Sequence, residues 1–166
     1  MPDATTPKPE THPADIKVRA ARTADTAAIA TGNRAMAGES EGKHLDPAVV
    51  AAGVSAALAD ADKGRYFIAE VGGRVAGQAM VTREWSDWRN GWFWWIQSVY
   101  VAPEFRRRGV YRALHGHIRA AARSAGDVAG IRLYVEKANT PAQATYRAMG
   151  MIDAGYLLFE DDWSGS

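Results

Sequence analysis

The chain has 166 residues, of which 47% are hydrophobic and 23% charged, and its formal net charge is +1. Such a chain builds one globular domain with a sizeable core, and its charge balance excludes a global pull toward nucleic acid or an anionic membrane. It contains no cysteine, which excludes disulfides, thiolate metal sites and a cysteinyl acyl-enzyme, and fits a reducing cytoplasm as the expected location. No apolar run reaches the length of a membrane span, and the chain does not open on a basic-then-apolar leader pattern.

Met1 to about Asp15 is rich in Pro, Thr and charge and is expected to be a flexible tail, with one domain over 16–166. Ile16 to Ala21 alternates apolar with polar residues and predicts a first strand. Thr23 can cap a helix running to about Met36; Gly38 to Lys43 reads as an acidic loop, and Asp46-Pro47 opens a second helix through Leu58. Tyr66 to Val71 and Arg74 to Arg83 read as a hairpin about the turn Gly72-Gly73. A loop with Asp87, Arg89, Asn90 and Gly91 then leads to a fourth strand, Trp92 to Val101.

From Gly109, the residues Val110, Leu114, Ile118 and Ala121 recur at helical spacing, so one face of that helix packs on the sheet until Gly126 and Asp127 end it. Ile131 to Glu136 is a short strand. Thr140 fits the N-cap of a last helix, with Pro141 at its first position, Gln143 completing a capping box and Gly150 stopping it. A final strand is expected from about Met151 to Glu160. The order β-α-α-β-β-β-α-β-α-β predicts an α/β fold, a mixed sheet with helices on both faces.

The densest chemical signal is Gln97-Ser98-Val99-Tyr100-Val101-Ala102-Pro103-Glu104-Phe105-Arg106-Arg107-Arg108-Gly109-Val110-Tyr111-Arg112. A strand runs through a basic, glycine-containing loop into a helix N-terminus, where unpaired N–H groups and the helix dipole favour an anion. Clustered arginines point to a pyrophosphate rather than a single carboxylate. The loop is neither a Walker loop nor a dinucleotide fingerprint: no Lys follows the glycine, and Val110 and Tyr111 replace the further glycines. The bland alternative is a basic surface turn that merely starts a helix.

The stretch R-x-x-G-x-Tyr, with Arg106 and Gly109 in place, resembles the acetyl-coenzyme A loop of the GNAT superfamily of N-acetyltransferases, whose pattern is Q/R-x-x-G-x-G/A. Tyr111 departs from the small final residue, so its side chain must point away from the diphosphate. Asn139, Ala142 and Tyr146 before Met149-Gly150-Met151 are also similar to that family, and the likeness extends over roughly residues 16–162.

The resemblance implies a mixed central sheet of six or seven strands with about four helices on both faces, and a splay between the fourth and fifth strands that admits the pantetheine arm. It implies acetyl-CoA as cofactor, held by the backbone of Val99, Tyr100 and Val101 and by the loop Arg106, Arg107, Arg108, Gly109, Val110, Tyr111 and Arg112. Asn139 would bond pantetheine, and Tyr146 would both line that arm and act as catalytic acid. The acceptor would be a small-molecule primary amine attacking directly in a ternary complex. No metal, nucleic acid or membrane partner is implied, and a homodimer is left open.

The general base is not assigned: the fourth strand carries no carboxylate, and Glu84, Asp87, Glu136, Glu39 and Glu41 lie at strand ends or in loops. A water relayed by Gln97 or Ser98 is one route. Trp92, Phe93, Trp94 and Trp95 read as core, with Trp85, Trp88 or Trp94 as the alternative wall of an acceptor pocket. His115 and His117 point different ways on one helix and make no metal site. The competing function is a non-catalytic, coenzyme A-binding regulatory module of the same fold.

Overall fold

The computed structural model describes residues 15–164; of the expected tail, all but Asp15 lies outside the described residues. The chain divides into two compact units, Met1–Tyr134 and Val135–Ser166.

The first unit is built on a five-stranded sheet in the order β1-β2-β3-β4-β5: β1 (Ile16–Ala20), β2 (Arg65–Val71), β3 (Arg74–Ser86), β4 (Gly91–Val101) and β5 (Val128–Leu133). The first four strands pair antiparallel, and β5 joins β4 in parallel. Three helices belong to this unit, α1 (Thr26–Glu41), α2 (Pro47–Ala59) and α3 (Val110–Ser124).

The alternation of β2 shows why the sheet takes helices on both faces. Tyr66 and Ile68 pack with Ile29, Ala30 and Val54 of α1 and α2. Phe67 and Ala69 turn to the opposite face, into a core with Val110, Leu114, Ile118 and Ala122 of α3. A strand buried on both sides reads as a continuous apolar run.

The α1 face carries one buried polar network. The Gln78 Nε2 amide donates to the Ile29 carbonyl at 3.2 Å and to Asn33 Oδ1 at 2.8 Å, and Asn33 Nδ2 donates to the Tyr66 hydroxyl at 3.0 Å. Gly32 makes room for it, since a Cβ there would lie 2.5 Å from Gln78 Oε1. At the start of α1, Arg19 binds Asp25 through both Nη atoms at 2.8 and 2.9 Å and also reaches Glu70. That guanidinium holds the Asp25 carboxyl below the usual carboxylate range, a shift opposed by its burial.

The structure corrects several boundaries. The first helix does not end near Met36: it runs through Gly38 to Glu41 and stops at Gly42, whose φ is +64°. Thr23 does not cap it but lies in a 3-10 turn, Thr23–Asp25. The fifth strand lies earlier than Ile131–Glu136, starting at Val128 and ending at Leu133. Asp46 caps α2 as expected, accepting from the Ala48 and Val49 N–H groups.

The second unit holds α4 (Thr140–Ala148). Its cap is Asn139 rather than Thr140: Asn139 Oδ1 accepts from the Ala142 N–H at 3.1 Å. Gln143 completes no capping box, because its amide donates to the carbonyls of Glu136 and Lys137. The final strand expected over Met151 to Glu160 is absent among the described residues. Gly155 at φ +74° interrupts the run, and Ile152, Tyr156 and Phe159 stay exposed. The sheet therefore has five strands among the described residues, not six or seven.

Candidate functional site

The arginine loop is pinned at both ends by buried side chains. Phe105, 5% exposed, closes the 3-10 turn Pro103–Phe105, and Val110, 2% exposed, begins α3. Between them Arg106, Arg107 and Gly109 face solvent while Arg108 is half-buried. Two sharp backbone positions turn the chain, Arg107 at φ +64° and Gly109 at φ +83°. Gly109 is the N-cap of α3, and nothing lies within 4 Å of where its Cβ would be.

The first bond of α3 runs from the Ala113 N–H to the Gly109 carbonyl. The N–H groups of Val110, Tyr111 and Arg112 thus precede the helical ladder, at the positive end of the dipole. The Val110 side chain is core, leaving only its main chain to serve a ligand. The Tyr111 ring lies 6.0 Å from that of His115, one turn further along the same face of α3.

The second component is the end of β4. Its pairing with β5 stops at Ile96↔Leu133, but β4 continues to Val101. Among the described residues, Gln97–Val101 has no strand partner on that side. The opposite side pairs with β3, yet irregularly: Met80 pairs Gln97 and Gln78 pairs Tyr100, so Ser98 and Val99 face one residue, Ala79. Ser98 takes φ +52°, the left-handed conformation that begins one type of β-bulge.

Beyond the bulge, the Ala102 N–H donates to Ala76 of β3. Strict alternation then turns Tyr100 toward β3, and Val99 and Val101 toward the open edge. Where a splay between the fourth and fifth strands was expected, β5 ends and leaves the end of β4 unpaired, with the main chain of Val99 and Val101 facing that side and that of Tyr100 facing β3. The bulge was not read from the sequence, although a signal existed. Apolar residues recur every second position at Trp92, Trp94 and Ile96, then after three at Val99, then after two at Val101.

The remaining candidates separate cleanly. Trp94 is 5% exposed and is core, not a pocket wall. Trp85 packs edge-on against Trp92, and Trp88 is exposed. Glu84 accepts from the Trp95 indole N–H at 2.9 Å and from Arg132 at 2.7 Å, Glu41 pairs with Lys43, and Glu39 pairs with Arg106. The Gln97 amide donates to Thr82 Oγ1 at 2.7 Å. His115 is buried, and desolvation, with Arg119 nearby, pushes its pKa down; His117 is exposed beside Phe67. No cluster of metal-ligating side chains occurs among the described residues. Asn139 and Tyr146 lie in the second unit, as the cap of α4 and, half-buried, on its last turns.

The family model for the acetyltransferase (GNAT) family matches residues 35–151. A possible acetyltransferase from Clostridium difficile 630 is 45% identical, with a TM-score of 0.83 over 89% of this chain and 97% of that one. At 18% identity the fold also matches the aminoglycoside acetyltransferase AAC(6')-Iy in complex with a CoA bisubstrate analogue, with a TM-score of 0.70 over 89% of this chain and 97% of that one. A predicted acetyltransferase with acetyl-CoA from Clostridium acetobutylicum, also 18% identical, gives a TM-score of 0.70 over 88% and 96%. None of the curated proteins matches the chain. Matched over most of its length by sequence and by a close structural relative, the chain belongs to the acetyltransferase (GNAT) family.

Proposed function

We propose that the protein is an acetyl-CoA-dependent N-acetyltransferase whose acceptor is a primary amine of a small molecule, and that residues 16–166 are its acetyltransferase domain. One observation carries the reading: β4 outruns its partner, bulges at Ser98, and feeds a loop that ends on the N-terminus of α3. Solved structures of the same fold hold CoA or acetyl-CoA, and one of these relatives acts on aminoglycosides, which supports a small amine acceptor.

The residues fit such a cofactor. Main-chain N–H groups from Arg107 to Arg112 surround a position suited to a diphosphate, and Gly109 leaves it open. Main-chain groups of Val99 and Val101 face an edge that an extended amide arm can pair with, as an added strand does. Bound there, acetyl-CoA supplies an activated thioester. The Val99 N–H beside the bulge is suited to stabilise the negative charge that grows on the thioester oxygen. Tyr146 is the acid for the departing thiolate, and Asn139 a pantetheine ligand, both by the family motif; the Asn139 carbonyl oxygen caps α4 and leaves its amide N–H₂ for that role.

Coenzyme A titration by calorimetry, followed by a thiol-release screen of amine, aminoglycoside, amino-acid and peptide acceptors, tests the proposal. Binding together with acceptor-dependent thiol release supports it. Binding with no release from any acceptor class leaves the regulatory-module reading in its place.

A further inference from the structure

Arg106 is held by three groups at once. Its Nε–H donates to the Val101 carbonyl at 2.9 Å, an Nη2–H donates to Glu39 Oε2 at 2.6 Å, and its guanidinium carbon lies 5.7 Å from the centre of the Tyr100 ring. Two of these partners belong to the open end of β4. The third comes from the last turn of α1.

Glu39 is poorly placed for the helix that carries it. A carboxylate in the last turn opposes the helix dipole, and the last turn of α1 contains no basic residue to offset it. Its partner is instead the first arginine of the loop, distant in sequence. The pair is half-exposed on both sides, with side-chain exposures of 42% and 47%, so it is weak and exchangeable.

We propose that Glu39 is a positioning residue that competes with the cofactor diphosphate for Arg106, and that the pair restrains cofactor affinity. The inference rests on the proposed function. A diphosphate at the N-terminus of α3 carries more negative charge than one carboxylate and can bind a guanidinium through two parallel hydrogen bonds. Arg106 cannot aim the same Nη edge at Glu39 and at that anion. Engaging the anion releases Glu39, and the shift of the side chain also uncovers the Val101 carbonyl on the edge reserved for the pantetheine arm. Because the displaced pair is exposed, the restraint is graded rather than absolute.

The test is a double-mutant cycle on the full chain, with coenzyme A as the probe and calorimetry as the readout. Glu39→Gln is expected to tighten coenzyme A binding about two- to five-fold, the range an exposed ion pair allows. In an Arg106→Gln background the same substitution is expected to lose that gain, since no guanidinium is left to compete for. In turnover, Glu39→Gln lowers the KM for acetyl-CoA and leaves kcat unchanged, a split that a merely structural role would not produce. Unchanged or weaker binding in Glu39→Gln overturns the inference. So does an equal gain in both backgrounds, which would mark simple charge repulsion without competition. A wild-type protein that binds no coenzyme A overturns the functional reading itself, a result distinct from either.

Discussion

Replacing Gly109 tests the anion site directly, because shape and charge can be separated there. A Cβ at Gly109 would meet no atom within 4 Å, so a substitution there starts into open space. The cost is conformational: φ is +83°, and a non-glycine residue in that region loses about 1–2 kcal/mol, less for Asn and Asp, which tolerate it best. Gly109→Asn and Gly109→Asp should therefore both fold, with nearly equal Tm. They differ only in charge. A carboxylate about 5–6 Å from a phosphate charge at an effective dielectric of 20 is repelled by about 3 kcal/mol. Salt at physiological strength cuts this to about 1.5–2 kcal/mol. Coenzyme A should thus bind Gly109→Asp about 10–30-fold more weakly than Gly109→Asn by calorimetry, and the gap should widen as salt is lowered. Equal dissociation constants for the two folded variants would refute the placement of the diphosphate at this loop.

Tyr146→Phe keeps the ring and removes the acid; single-turnover acetylation should slow about ten- to several-hundred-fold with coenzyme A affinity little changed. Wild-type single-turnover rates would remove Tyr146 from the mechanism. Turnover should proceed through a ternary complex, since the chain has no cysteine and Ser98 sits at a bulge with no histidine paired to it among the interactions described; parallel double-reciprocal lines with an isolable acetyl-protein would contradict this. His115 has its pKa lowered by burial and by Arg119, so its neutral form is favoured in the fold. The stability it contributes is full above the unfolded pKa of about 6.5 and is lost as pH falls through the lower folded value. The decline of Tm from about pH 7.5 to about pH 5 should be shallower in His115→Gln, and an unchanged slope would count against it.

The parts of the fold that were legible in the sequence are those governed by local rules. Gly72-Gly73 between two apolar runs made the hairpin, and Asp46-Pro47 made the α2 cap. The errors arise where tertiary context overrides a local signal. Gly38 read as a helix end, but a glycine within a helix costs only about 1 kcal/mol against alanine, and α1 continues past it until Gly42 enforces the stop. The fifth strand was expected from Ile131, whereas β5 starts at Val128 and includes Gly130, a glycine in the strand where a Cβ would sit 2.9 Å from the Phe93 ring. A final strand over Met151 to Glu160 was expected to complete the order of elements, but an apolar stretch does not supply the neighbouring strand that pairing requires. The Arg106–Glu39 pair was illegible for a different reason: it joins two helix-end regions that only the folded sheet brings together.

The proposed site depends on β4 more than on any single side chain. Trp92, Trp94 and Ile96 face the α3 core, and the Trp92 N–H donates across to Asp127, on the β5 side. Without the bulge, period-two alternation would carry Ser98 and Tyr100 onto that core and onto that edge, burying a hydroxyl where the helix offers apolar contacts. The extra residue at Ser98 shifts the phase by one. Val99 and Val101 then pack against the α3 core while their own N–H and C=O groups face the edge that β5 leaves open. The strained φ at Ser98 therefore solves packing and presentation together. It keeps the strand apolar where α3 needs it, and it turns the main chain outward just before the loop that meets the N-terminus of α3. Because β4 and β5 run parallel, the α3 crossover has to start at this end of β4. That topology brings the helix N-terminus, the open strand edge and the bulge to one end of one strand, where open α/β sheets bind their ligands.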